Sequence, residues 1–95
     1  DKKIEEKRAY IQQRRNQAEH ETAWLEKNRL LYTEKRARLE SLIEGRRPNG
    51  GVVTPEEYEL SRHVALYESK RSGIWDLAKE INQEEQNLKA MTSGE

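Results

Sequence analysis

Glu44-Gly45-Arg46-Arg47-Pro48-Asn49-Gly50-Gly51-Val52-Val53-Thr54-Pro55-Glu56-Glu57 is the one stretch of this 95-residue chain in which helix breakers gather. Gly45 suits the position just past a helix end, where a left-handed backbone meets no Cβ clash. Arg46 and Arg47 suit the negative pole of a helix. Pro48-Asn49-Gly50-Gly51 is turn chemistry, and with no strand before it and no phosphate-loop pattern around it the glycine pair reads as a hairpin tip. Thr54-Pro55-Glu56-Glu57 reads as a restart. Thr54 can accept an N–H of the first turn, Pro55 fills the first helical position at no hydrogen-bonding cost, and Glu57 completes a capping box. A stop, a turn over about 46–53 and a new helix are therefore predicted.

On both sides of that break the apolar residues recur by sevens. Ile4, Ile11, Ala18, Leu25, Tyr32 and Leu39 precede it, and Leu60, Tyr67, Ile74, Ile81 and Leu88 follow. Val64, Arg71, Ala78 and Glu85 fall between the members of the second series, alternating three and four residues apart. This spacing predicts an all-α chain of two long helices, over about 2–45 and 54–91, forming one antiparallel coiled-coil hairpin across 1–95. With the turn where it is, facing residues have numbers adding to about 99, which pairs Leu39 with Leu60, Tyr32 with Tyr67, Leu25 with Ile74, Ala18 with Ile81 and Ile11 with Leu88. The same register sets Trp24 near Trp75, Arg14 opposite Glu85 and His63 near Arg36. Ser72-Gly73 is the soft spot of the second helix.

Composition narrows the class. Charged residues make up 38% of the chain and hydrophobic ones 33%, which leaves too little apolar matter for a many-layered core and fits one domain of long helices. Eighteen Lys and Arg balance eighteen Asp and Glu. A neutral chain has no global field to draw nucleic acid, so nucleic-acid binding is disfavoured. Arg8, Arg15, Arg29 and Arg36 form a local stripe in heptad register, matched by Glu5, Glu19, Glu26 and Glu40, and both read first as solvated faces. No cysteine is present, which rules out disulfides and cysteine-based zinc sites and fits a reducing, cytoplasmic setting. No apolar run approaches the roughly 20 residues of a membrane span. The chain begins at Asp1 without a methionine and reads as a piece of something longer.

Chemistry is hard to find. His20 and His63 have no metal-ligand spacing with each other. Glu56-Glu57 and Glu84-Glu85 sit on convex helical faces, without the desolvated cleft that separates an acid from a base. The serines lack a nucleophile elbow. The expectation is therefore a non-enzyme with no catalytic residue, no cofactor, no metal and no small-molecule substrate. Apolar residues are nonetheless in surplus, since Tyr10, Trp24, Leu30, Leu31, Leu66, Leu77 and Met91 exceed what one seam can cover. Trp24, Leu31, Trp75 and Leu77 are the candidate partner-binding residues, and a protein partner or a second copy is the expected occupant.

Leu31-Tyr32, Glu34, Arg36 and Leu39, then a glycine-containing turn, Thr54 and Tyr58, and a second helix rising through Leu66 and Ile74, together resemble a known hairpin. It is that of the stalk proteins of bacterial flagellar and type III export ATPases, the FliJ/YscO-like family. The likeness covers about half the chain and rests on spacing, not on a signature motif. It implies a charged, cysteine-free antiparallel coiled coil that inserts into an ATPase ring and escorts export chaperones. Family members usually run longer at both ends, where the ring-engaging tips lie, so the resemblance transfers no functional residue. The alternative expectation is a dimerisation or scaffold segment, or a small-GTPase effector finger of similar shape, cut from a larger protein.

Overall fold

The computed structural model describes residues 1–46 and 51–93. Two helices account for nearly all of them: α1, Lys2–Arg46, and α2, Pro55–Ser93. Residues 51–54 carry no regular structure, and no strand occurs among the described residues. The fold is an all-α helical hairpin. Arg47, Pro48, Asn49 and Gly50 of the expected turn lie outside the described residues.

The helix starts follow local chemistry. The Asp1 carboxylate accepts the Lys3 N–H at 3.0 Å, capping α1. Thr54 Oγ1 accepts the Glu57 N–H at 3.2 Å, and the Tyr58 N–H bonds the Thr54 carbonyl at 3.1 Å. Thr54 is thus the N-cap that the sequence predicts, with Pro55 at the first helical position. The end of α1 differs from expectation. Gly45 lies inside the helix, not just past it in a left-handed conformation, and α1 runs on through Arg46. The helical hydrogen bonds tolerate a glycine near a terminus, where its cost in backbone entropy is smallest. Gly73 likewise stays helical, with nothing within 4 Å of where its Cβ would stand. It marks no close backbone approach.

Contacts divide the chain into two compact units, one comprising Asp1–Ala23 and Arg71–Glu95, the other Trp24–Lys70. In the first, Ile4, Ile11 and Leu77 are buried, with Lys7, Arg14, Ala18, Glu21, Ile74, Ile81 and Leu88 half-buried beside them. Ion pairs close its flanks. Lys7 meets Glu84 at 2.6 Å, Arg14 meets Glu80 at 2.8 Å, and Arg15 pairs with Glu85. Arg14 was expected opposite Glu85. It reaches Glu80 instead, and its neighbour Arg15 takes Glu85, because a guanidinium on a long stem selects the carboxylate on its own side of the seam.

In the second unit Val64, Tyr67 and Glu57 are buried, and Leu25, Asn28, Tyr32, Lys35, Leu39 and Leu60 are half-buried. Tyr32 and Tyr67 stack with ring centroids 4.1 Å apart and planes tilted by 15°, the pairing that the heptads predict. Arg38 and Glu56 pair at 2.9 Å nearer the turn.

One register step departs from the sequence reading. On α2 the intervening row was expected to run Val64, Arg71, Ala78, Glu85. Arg71 and Ala78 are exposed and Glu85 is half-buried, while Lys70, Leu77 and Glu84 turn inward. The inward row therefore slips back by one residue after Val64. A one-residue step turns a helix by about 100°, which carries the inward row from one side of the Leu60–Tyr67–Ile74 line to the other.

Candidate protein-docking surface

The second unit carries the surface of interest. On α1, Trp24, Asn28, Leu31 and Lys35 are spaced by four, three and four residues, which aligns them along one flank. On α2, His63 and Leu66, three apart, align beside Tyr67. Together with Tyr32 these residues line a notch of about 50 Å³, room for a few waters and far below the several hundred Å³ of a small-molecule site.

The floor of the notch is aromatic. The Trp24 ring lies 6.1 Å from that of Tyr67, tilted by 35°, and Tyr67 stacks on Tyr32. Lys70 places its ammonium 5.1 Å from the Trp24 centroid, a cation–π contact. The Asn28 amide donates to the Trp24 carbonyl at 2.8 Å, one turn back on its own helix. Above this floor stand two leucines with half their surface in water: Leu31 is 48% exposed and Leu66 49%. Tyr58, at 60%, lies a further two turns along α2.

The other flank of this unit is polar and internally satisfied. The Tyr32 hydroxyl donates to Glu68 at 2.8 Å and accepts from Arg36 at 3.3 Å, and Arg36 also bonds Glu40 at 3.2 Å. The Tyr32 hydroxyl and the Glu40 carboxylate hold the Arg36 guanidinium above its ordinary range, and Glu56 does the same for Arg38. Arg36 of the sequence-level stripe is thus engaged within the chain, as is Arg15 with Glu85, whereas Arg8 and Arg29 are exposed.

The first unit holds a polar cluster of a different kind. Tyr10 donates its hydroxyl to Glu80, which also receives Arg14, and the Arg14 guanidinium lies 5.9 Å from the Tyr10 ring centroid. The hydrogen bonds from Arg14 and Tyr10 hold the Glu80 carboxyl below the usual carboxylate range. Donation to Glu80 in turn raises Tyr10 and Arg14.

The four candidate binding residues fare differently. Trp24 is half-buried and Leu31 half-exposed, and the notch brings them together. Trp75 belongs to the other unit and is 68% exposed. Leu77, expected in the apolar surplus, is only 4% exposed and belongs to the core of its unit. Sequence reasoning passed over Lys35, His63 and Lys70 on this flank. The signal was there for Lys35, four residues after Leu31 and eleven after Trp24. It was hidden for Lys70, because the register step on α2 is not written in any apolar residue. Among the described residues no group of acidic, histidine or cysteine side chains is arranged to hold a metal ion, and no helix is long and apolar enough to cross a membrane.

No protein-family model, no curated protein and no solved structure matches this chain.

Proposed function

We propose that this chain is a helical protein-interaction module, an antiparallel coiled coil that works by binding and not by chemistry. Its docking surface is the Trp24–Leu31–Leu66 flank. One observation carries the reading: two leucines, each about half exposed, flank an aromatic floor that is already ordered by stacking. An apolar cluster on a pre-formed aromatic base is the composition of an interface centre, and in a free chain it is an aggregation liability. The resemblance to export-ATPase stalk and escort proteins supplies the finer reading, a stalk of a type III or flagellar export apparatus in the cytoplasm.

Replacing Leu31 and Leu66 by Asp tests the module. Partner binding or self-association should fall about tenfold or more, with the helical circular dichroism unchanged, because neither side chain is core. If association is unmoved, the flank is not the interface. The stalk reading has its own test: the full-length protein should stimulate or assemble the export ATPase of its own organism. No effect on ring assembly or hydrolysis leaves a dimerisation or scaffold segment.

A further inference from the structure

We infer that the occupant of this flank is an acidic amphipathic helix, with its apolar residues seated on Leu31 and Leu66 and a carboxylate at each end of the contact. The inference rests on the interaction-module reading and adds the chemistry of the partner.

The argument is one of charge and spacing. Three acidic residues lie along or beside the flank. Two are already neutralised, Glu56 by Arg38 at 2.9 Å and Glu59 by Arg62 at 3.5 Å, while Glu34, three residues after Leu31, is exposed. Two lysines on the same flank have no ion pair among the described residues. Lys70 lies over the Trp24 ring and Lys35 lines the notch beside His63. The balance of uncompensated charge is therefore positive, and the two lysines sit at the two ends of the apolar strip. From Trp24, the partner of Lys70, to Lys35 is eleven residues of α1, or about 16 Å of helix axis.

That length is three turns of a docked helix. It matches a partner with apolar residues at i, i+3 or i+4, and i+7, bracketed by Asp or Glu about eleven residues apart. Such carboxylates would meet Lys70 and Lys35 at the rim, where charge sets orientation and excludes wrong partners. A second copy of this chain is the poorer occupant. It would bring the same two unpaired lysines to the shared face, where Glu34 offers one carboxylate against two ammonium groups, and its Glu56 and Glu59 are taken by Arg38 and Arg62.

The test selects partners without assuming one. A display library of single-helix peptides, with a fixed helical frame and randomised surface positions, is panned against the full chain, and binders are titrated by isothermal calorimetry. Enrichment of Asp or Glu on both sides of an apolar stripe is the expected result. Charge reversal by Lys35→Glu with Lys70→Glu should weaken those peptides about tenfold and favour their Lys-substituted counterparts. Circular dichroism of the double variant establishes that the hairpin is intact. Binders that need Leu31 and Leu66 but carry neutral or basic flanks overturn the acidic partner and leave the docking surface standing. Binders indifferent to Leu31→Asp with Leu66→Asp, or a panning that yields none, overturn the surface itself. Concentration-dependent dimerisation of the chain through Leu31 and Leu66 in sedimentation equilibrium identifies a second copy as the occupant and overturns this inference.

Discussion

Tyr32 of α1 and Tyr67 of α2 stack face to face at 4.1 Å between centroids, while their hydroxyls go opposite ways, Tyr32 to the Glu68 carboxylate and Tyr67 to the Leu25 carbonyl. Two rings that share one face cannot both keep it in water. The contact therefore fastens the two helices of this unit at one level and leaves Tyr67 only 7% exposed. Truncating Tyr67 to Ala should cost about 3 kcal/mol in urea unfolding, since it removes the stack and the support of Trp24 together. Tyr67→Phe keeps both and loses only a long 3.5 Å hydrogen bond, so its cost should be about 0.5 kcal/mol or less. Equal losses from the two variants would show that the hydroxyl, not the ring, holds the helices.

Leu77 and Trp75 make a sharper contrast. Two residues apart on a helix, they point about 200° from each other, so only one can face the partner helix. Leu77 takes that position at 4% exposure and Trp75 is left 68% exposed. Leu77→Ala should destabilise by about 2–4 kcal/mol. Trp75→Ala should stay within about 0.5 kcal/mol of the parent. Denaturant midpoints of the two variants decide it, and a large loss from Trp75→Ala would refute this assignment of faces.

These residues also show what could be read in advance. The helices and their antiparallel sense, and at Tyr32–Tyr67 the pairing, follow from the unbroken sevens and from Thr54-Pro55. Both are local or periodic signals that any helix must obey. The half-buried polar row of α1 (Lys7, Arg14, Glu21, Asn28, Lys35) was passed over because its members are not apolar, although it lies three residues after each seam residue. The slip from Val64 to Lys70 was not legible. It depends on how the two helices settle against each other, and a charged residue with a long aliphatic stem can face in or out at little cost. Leu77 was misjudged as surplus for that reason and Lys70 was passed over for the same one, whereas Lys35 belongs to the polar row of α1.

The Tyr10–Glu80–Arg14 cluster predicts a pH dependence with two limbs. The folded Glu80 carboxyl is depressed by the hydrogen bonds from Arg14 and Tyr10, so its contribution is present above the unfolded value near 4.3 and is lost as pH falls through the folded value. Tyr10 is raised by its bond to Glu80, so its contribution is present below about pH 10 and is lost as pH rises through the folded value. Both limbs pass through one carboxylate. Glu80→Gln should therefore narrow its stability gap from the parent at acid and alkaline extremes alike, with the widest gap between them. Urea midpoints from about pH 3 to 11 measure this, and a gap constant across the range would refute the linkage.

Asn28 faces the seam half-buried, where its heptad position would suit a leucine, yet its amide turns back to the Trp24 carbonyl on its own helix. A polar residue at such a position costs stability, because it displaces apolar contact with the facing helix. What it provides is a limit on other pairings, since a continuous apolar row accepts several registers and more than two helices. Asn28→Leu should raise the hairpin's stability by about 1 kcal/mol, the net of a gained side-chain burial and a lost local hydrogen bond. It should also extend the apolar lining of the notch that Leu31 and Leu66 border, and so promote association between copies. Denaturant unfolding and sedimentation equilibrium on the same variant separate the two effects. A more stable chain with unchanged association would show that Asn28 sets no limit on pairing between copies. A less stable one would show that the bond to the Trp24 carbonyl is needed to hold the tryptophan against Tyr67.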